Sequence, residues 1–254
     1  MGACSMDLQG KVALVTGGSG DLGAAIAQAL AKAGASVGVS YLEERERAER
    51  VVAAVEQLGS RAWTIQLDQT DPAMPEAVVD AVVQRFGQLD ILVNNAAWNI
   101  GIPFANLDAL TPEIWDRIYD TNVRGPYLLA RAAARPMRAQ KRGHIVNIAS
   151  IGGIYPNASS IAYATSKAAV IHLTRCLAVA LAPDVLVNCV APGLIEGTRM
   201  AQRLPPVVVE GARRMAVLGH AATTSDLAEQ VVAFCRSDSV TGQTLPIDGG
   251  LFPR

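Results

Sequence analysis

Apolar residues along this chain fall into short runs rich in Val and Ile, separated by longer stretches with helical spacing. The first run, residues 12–16, breaks into glycines and leads to an Ala-rich helix over 24–33. An apolar run at 37–40, a helix at about 44–58 and a strand at 62–67 follow. The alternation then continues with helix 76–86, strand 91–94, a long helical region over 111–140 and strand 145–149. Helix 163–181 leads to strand 185–191, and the last apolar strand lies near 244–247. Strands apolar throughout, each followed by a helix, are buried on both faces, the mark of a parallel sheet covered by helices. The pattern predicts an α/β Rossmann fold: one doubly wound, seven-stranded parallel sheet in a single domain over 1–254, without repeats or a linker. Residues 193–223, rich in Pro, Gly, Arg and Met, break the rhythm. They read as a substrate-loop insertion around 194–222, beyond a strand's carboxyl end, where ligands bind in such sheets.

Composition narrows the function classes. Half of the residues are hydrophobic and 18% are charged, which supplies a core and argues against disorder. The net charge of −1 and the lack of a basic block leave no footprint for nucleic acid. The dense charge run over 43–50 mixes signs and reads as the solvated face of a helix. Cys4, Cys176, Cys189 and Cys235 form no C-x-x-C pair, and three lie in apolar stretches, which fits a reducing cytoplasm. No apolar run reads as long or clean enough to span a membrane, and the N-terminus lacks the pattern of a signal peptide. Met6 stands where myristoylation needs Ser or Thr. No cluster suggests a metal: His144, His172 and His220 are far apart, the first two reading as ordinary core or surface residues. His220 falls in the substrate-loop region, where a minor role is open.

Between the first strand and the first helix stands Thr16-Gly17-Gly18-Ser19-Gly20-Asp21-Leu22-Gly23. Chain reversal here needs glycine freedom, and unpaired N–H groups at a helix start suit a pyrophosphate. Gly18-x-Gly20-x-x-Gly23 fits the dinucleotide fingerprint. A ligand-free turn is the plain alternative, and Gly23 serves close helix–sheet packing in either case.

From these residues the chain resembles the short-chain dehydrogenase/reductase family, in its compact branch. That family's turn reads T-G-x-x-x-G-x-G; Thr16, Gly17 and Gly23 match, while Asp21 replaces the middle glycine. An acid is unwelcome beside pyrophosphate, so Asp21 is expected to cap the first helix turn. Asn94-Asn95-Ala96-Ala97 is similar to the family's N-N-A-G, and Asn122 matches its helix asparagine. Ser150 is followed thirteen residues on by Tyr163, and Lys167 lies four beyond. Pro192-Gly193, then Thr241-Gly242-Gln243-Thr244 and Asp248-Gly249-Gly250, complete the likeness over nearly the whole chain. Each motif alone is weak, since Tyr-x-x-x-Lys is common in helices and a serine or asparagine more often caps or turns the chain. Their order and spacing carry the assignment.

Reduction of a carbonyl leaves an alkoxide that needs a proton. A tyrosine is too weak an acid near its usual pKa of about 10 unless a cation assists it. Residues four apart share a helix face, so Lys167 is expected to lower the pKa of Tyr163. The resemblance implies Tyr163 as general acid/base and Ser150 as holder of the substrate oxygen. It also implies Lys167 on the nicotinamide ribose and Asn122 positioning a water beside Lys167. It implies cofactor contacts at Gly17, Ser19, Gly20, Asp21, Leu22, Gly23, Tyr41, Asp68, Gln69, Asn95, Ala96, Tyr163, Lys167, Pro192, Gly193, Ile195 and Thr198. Asp68 reads equally as a helix cap before Thr70-Asp71-Pro72, and Thr198 sits one residue later than the family's threonine.

Tyr41 ends the second strand where an NAD-selecting acid would stand, which tilts the choice slightly to NADP(H) over NAD(H). Arg45 or Arg47 is in range of a 2′-phosphate, opposed by Glu43 and Glu44. Trp98, Ile100, Ile154, Tyr155, Leu194, Met200 and Met215 are candidates for an apolar pocket. Arg199, Arg203, Arg213 and Arg214 read first as a solvated loop face. The expected partner is a small carbonyl or alcohol substrate, as in 3-oxoacyl-carrier-protein reductases and sugar or secondary-alcohol dehydrogenases. The resemblance also implies a homotetramer through the two long helices and the C-terminal residues 251–254. The rival reading is a non-catalytic sensor or scaffold that binds a nicotinamide nucleotide; the presence of Ser150, Tyr163, Lys167 and Asn122 argues against it. A lyase or epimerase would call for a longer chain.

Overall fold

A computed structural model of the chain describes residues 8–156 and 158–251. Cys4, Met6 and residues 252–254 lie outside the described residues. Seven parallel strands make one sheet: β1 (Val12–Val15), β2 (Ser36–Tyr41), β3 (Ala62–Gln66), β4 (Ile91–Asn94), β5 (Gly143–Ile148), β6 (Val185–Pro192) and β7 (Thr244–Ile247). Their order is β3-β2-β1-β4-β5-β6-β7. The order reverses between β1 and β4, so the crossovers leave to opposite faces there and open a crevice at the strands' carboxyl ends.

Alternation along each strand divides the core. Val15, Ile91 and Val146 point to one face, under α1 (Asp21–Lys32), α2 (Arg45–Gln57) and α9 (Thr224–Cys235). Leu14, Leu92 and Ile145 point to the other, under α3 (Met74–Phe86), α5 (Gly125–Ala139) and α6 (Ile161–Leu181). Side chains such as Leu14, Leu30, Leu92 and Leu129 are fully buried, each stabilising by about 1.5–3 kcal/mol relative to exposure.

Most predicted elements are present, with shifted ends. The first helix begins at Asp21, three residues before the expected start, so the glycine turn runs straight into it. The 111–140 region is one helical path in three parts: α4 (Pro112–Tyr119), a π-helical turn (Asp120–Arg124) and α5. The expected loop insertion holds α7 (Arg199–Gln202) and α8 (Pro206–Met215). The following helix, α9, escaped the apolar reading, although Thr223 and Asp226 form a reciprocal capping box at its start. The membrane reading also needs amending, because α6 is long and apolar enough by length and composition to cross one. It packs as a core helix, burying Ser166, Lys167 and Thr174 among its apolar residues.

Candidate active site

The glycine turn is built for close approach. Gly17 has φ +59, and a Cβ there would meet the Ala96 Cα at 3.0 Å. A Cβ on Gly23 would collide with the Gly17 carbonyl oxygen. Thr16 Oγ1 accepts the N–H groups of Asn95 at 3.0 Å and Ala96 at 2.9 Å. The Asn95 side chain donates to the carbonyls of Thr16 and Gly17. The turn and the segment after β4 are thereby one unit. Ser19 is buried, and Leu22 packs onto the core beneath α1. The result is a bare backbone cradle at the start of α1, a fit for the pyrophosphate of a dinucleotide.

Asp21 does not cap α1. The N-cap is Gly20, and no side chain bonds the first turn. Asp21 is the first helical residue, and its carboxylate turns outward to the Arg47 guanidinium and the Arg199 backbone N–H. Arg47 also faces Glu44 at 3.8 Å, whereas Arg45 pairs with Glu49 on the outer face of α2. Burial acts to raise the Asp21 pKa, but the Arg199 N–H and the Arg47 guanidinium outweigh it and hold the carboxyl below its usual range.

Tyr41 ends β2, partly buried against the core under α1. Asp68 does not cap a helix either: it closes a local turn, accepting both the N–H and the hydroxyl of Thr70, while α3 starts later at Met74. The Gln69 side chain points inward, donating to the carbonyls of Ala96 and Thr121, so it braces the site. Gly193 is bonded to β7 through the Ile247 carbonyl. Ile195 bridges to Ala222, and Thr198 caps α7 while donating to the Ile195 carbonyl.

The four predicted catalytic residues come together around β5, α6 and the π-helical turn. Ser160 caps α6 by accepting the Tyr163 N–H at 3.2 Å, which sets the tyrosine in the first turn. Ser150 leaves the end of β5, accepts the Gly152 N–H at 3.1 Å and lies close enough to the Tyr163 phenol to act against the rise in its pKa. Lys167 is buried, with Nζ 5.6 Å from the Tyr163 ring centroid and donating to the Ile148 carbonyl at 2.8 Å.

Burial outweighs the lowering of the Tyr163 pKa expected from Lys167. Burial pushes the phenol up to about 12, with the Ser150 hydrogen bond acting the other way. Burial also pulls the Lys167 ammonium down to about 8, partly opposed by attraction to Cys189. Desolvation disfavours the charged form of each group.

Asn122 is buried in the π-helical turn, a distortion frequent at functional sites. Its Oδ1 accepts the Trp98 N–H at 2.8 Å, and its Nδ2 donates to the Trp98 carbonyl and to Ser166 Oγ. The side chain therefore splints the post-β4 segment to α6, and does not bond Lys167. Ser166 passes the link on by donating to the Tyr163 carbonyl at 2.8 Å. Sequence reasoning missed this serine, although its place three residues after Tyr163 was a usable signal. Beneath the site, Asn94 donates to Asn147, and Asn147 to Thr174, in a buried chain joining β4, β5 and α6.

Around the candidate substrate side, Arg117 lies over the Trp98 ring at 4.2 Å, and Ile154 packs against the core at α6. Ile100, Met200 and Met215 are exposed. An open hollow of about 510 Å³ lies between α7 and α8, lined by Ala201, Leu204, Val209 and Arg213 among others, and by none of the four predicted catalytic residues. Arg213 is exposed and forms a two-pronged pair with Glu196.

Comparison with known proteins agrees with this arrangement. The short chain dehydrogenase family model matches residues 11–207. The chain is 37% identical over 250 residues to a 3-oxoacyl-acyl-carrier-protein reductase of Thermotoga maritima, covering 97% of this chain and 99% of that one. A short chain dehydrogenase from Burkholderia cenocepacia, solved in complex with NADP, is 38% identical with a TM-score of 0.87, covering 97% and 99% of the two chains. An NAD+-bound xylitol dehydrogenase is 31% identical with a TM-score of 0.91, covering 96% of this chain and all of its own. A glycine cradle at a sheet switch point, a Ser–Tyr–Lys cluster and full-length similarity lead to one conclusion: the chain belongs to the short-chain dehydrogenase family of oxidoreductases.

Proposed function

We propose that this oxidoreductase reduces a 3-oxoacyl thioester or a related ketone to a secondary alcohol, with Tyr163 as the acid and NADP(H) favoured over NAD(H). The observation that carries the proposal is the convergence of Ser150 at the end of β5, Tyr163 in the first turn of α6 and the buried Lys167, whose Nζ lies 5.6 Å from the Tyr163 ring centroid. When bound at the glycine cradle, a nicotinamide dinucleotide supplies the hydride or takes it up. Ser150 holds the substrate oxygen. Tyr163 gives that oxygen its proton in reduction and removes it in oxidation. An ammonium carries three donors, and Ile148 takes one, so Lys167 can also orient the nicotinamide ribose. Asn122 acts through its splint between Trp98 and Ser166, holding the post-β4 segment against the helix that carries Tyr163 and Lys167.

The lean to NADP(H) rests on Tyr41 standing where an acid would select NAD, on Arg47 drawn beside the glycine turn, and on the NADP complex of the Burkholderia relative. The Thermotoga relative's name supports the thioester class; sugar and secondary alcohols remain the second class. We also infer a homotetramer packed through α5 and α6, whose Tyr127 and Val179 are exposed. The free thiols of Cys176, Cys189 and Cys235 support a reducing cytoplasm.

The test is to follow cofactor absorbance with NADPH or NADH and a panel of 3-oxoacyl thioesters, ketoses and aryl ketones. Turnover with a nucleotide preference, lost in Tyr163→Phe, is expected. Undiminished turnover in that variant would overturn the mechanism. Nucleotide binding without turnover on any ketone or alcohol would favour the sensor reading.

A further inference from the structure

Four charged residues from three distant segments meet at the outer rim of the dinucleotide cradle. Asp21 begins α1, Glu44 and Arg47 stand at the start of α2, and Arg199 begins α7. Asp21 Oδ2 accepts the Arg199 N–H at 2.7 Å across 178 positions of sequence. Asp21 Oδ1 also faces the Arg199 Nε at 3.7 Å and pairs with Arg47. The Arg199 guanidinium meets Glu44 through both of its terminal nitrogens, at 3.0 and 3.3 Å.

Two features give this cluster meaning. First, the Arg199 N–H is one of the donors that a helix start leaves without an intrahelical partner. Asp21 supplies the acceptor from another element. Second, the segment that Arg199 opens packs lightly: only Ala201 and Ala216 are buried along it, and Val217 and Leu218 just beyond donate to the carbonyls of Gly250 and Gly249. No residue of α8 is buried, and Met200, Val207, Val208, Met215, Val217 and Leu218 are exposed. Its inner end is tied by the Ile195–Ala222 bridge and the Glu196–Arg213 pair, and its outer end by the Asp21 cluster. Two acids and two arginines cancel, so an acid sits at the start of a phosphate-binding helix without adding net charge to that rim.

We propose that Asp21 is a positioning residue that latches the 199–215 segment onto the start of α1, closing the outer side of the nucleotide cleft. This rests on the reading of the glycine turn as a dinucleotide site. It assigns a purpose to the residue that departs from the family's glycine. It also makes a prediction of sign. An acid that is merely a like charge near pyrophosphate weakens nucleotide binding, so its removal tightens it. A latch does the reverse: its removal frees the segment and loosens the nucleotide.

The experiment uses the full chain with Asp21→Asn and, as a second variant, Glu44→Gln. NADPH and NADH affinity is read by fluorescence titration, together with KM and kcat. In the nucleotide-free protein, trypsin cleavage after the exposed Arg203, Arg213 and Arg214 reports the segment directly. For Asp21→Asn we expect nucleotide Kd and KM to rise about threefold or more, the scale of losing more than one half-exposed ion pair, with a smaller change in kcat. Cleavage should quicken in that variant and, to a lesser degree, in Glu44→Gln. Wild-type cleavage should approach the variant's rate at high salt, where such pairs are screened. Tighter nucleotide binding in Asp21→Asn, or unchanged cleavage in both variants, overturns the proposal. If wild type binds neither nucleotide while the cleavage difference persists, the latch stands and the dinucleotide reading fails.

Discussion

At the β5–α6 end of the cleft, Ser150, Tyr163 and the buried Lys167 are held by backbone partners, Gly152, Ser160 and Ile148, in a site where desolvation sets the charges. At the β1–β2 end, Asp21, Glu44, Arg47 and Arg199 hold one another through charges that water still reaches. Desolvation dominates the first group: it moves a phenol up to about 12 and an ammonium down to about 8. Mutual attraction dominates the second, where Asp21 and Glu44 are both held below their usual ranges by the arginines facing them. A desolvated cluster keeps its geometry and stores chemical reactivity. A half-exposed cluster of balanced charge can open and reclose, and salt weakens it. Chemistry and access are thus assigned to different physics on one sheet edge.

The largest expected break falls on the desolvated side. Tyr163→Phe should lower turnover by roughly 10²–10⁴-fold, the usual contribution of a positioned acid, while nucleotide affinity changes little. Single-turnover kinetics and a binding titration read the two separately. Equal losses in both would mean that the tyrosine shapes the nucleotide site and does not act as the acid.

Next in size, Gly23→Ala tests whether the cradle is steric. The new methyl has the Gly17 carbonyl in its way, so nucleotide binding should weaken by about tenfold or more, through a displaced turn. Calorimetric titration with NADPH checks it; unchanged affinity would show that the turn adjusts freely.

The pH profile sharpens the contrast further. Reduction needs a protonated Tyr163 and a charged Lys167. With a lysine pKa near 8, kcat/KM for reduction should fall as pH rises through about 8, losing up to tenfold per unit. Alcohol oxidation needs the phenolate and should climb over the same range. Profiles that are flat in both directions would remove Lys167 from the proton balance.

The smallest effect concerns acid stability. His144 is buried on β5, and burial lowers its pKa to about 4, with the Asp238 charge opposing. The unfolded chain binds this proton from about 6.5 downward and the folded chain does not, so stability is full above 6.5 and declines toward 4. Thermal melts between pH 7 and 4.5 should show a shallower decline for His144→Asn than for wild type. Parallel declines would assign the acid limb to other groups.

Much of the scaffold was legible in the chain itself. β-branched runs and helical spacing are local properties, so the strand at 91–94 is placed to the residue and the last one near its true position at 244–247, and Tyr163 and Lys167 share a face because a helix repeats every 3.6 residues. Helix α9 was legible too, since a capping box at Thr223 and Asp226 precedes apolar residues at helical spacing, Leu227, Val231 and Cys235, but it follows directly on the irregular 193–223 stretch and reads with it. The 194–222 region read as loop because α7 is a single turn and α8 has no buried face.

What the sequence by itself determined is the alternation of strands and helices and the glycine turn, written in neighbouring or periodically spaced residues, and, through the family resemblance, the Ser150–Tyr163–Lys167 set. What only the tertiary structure decided is which charges meet and how far each group is taken out of water. Asp21 finds Arg199 from 178 positions away, and Asn122 reaches Trp98 and Ser166 instead of Lys167. Those outcomes, and the raised phenol and lowered ammonium, depend on burial and proximity across the fold, and no local spacing encodes either quantity.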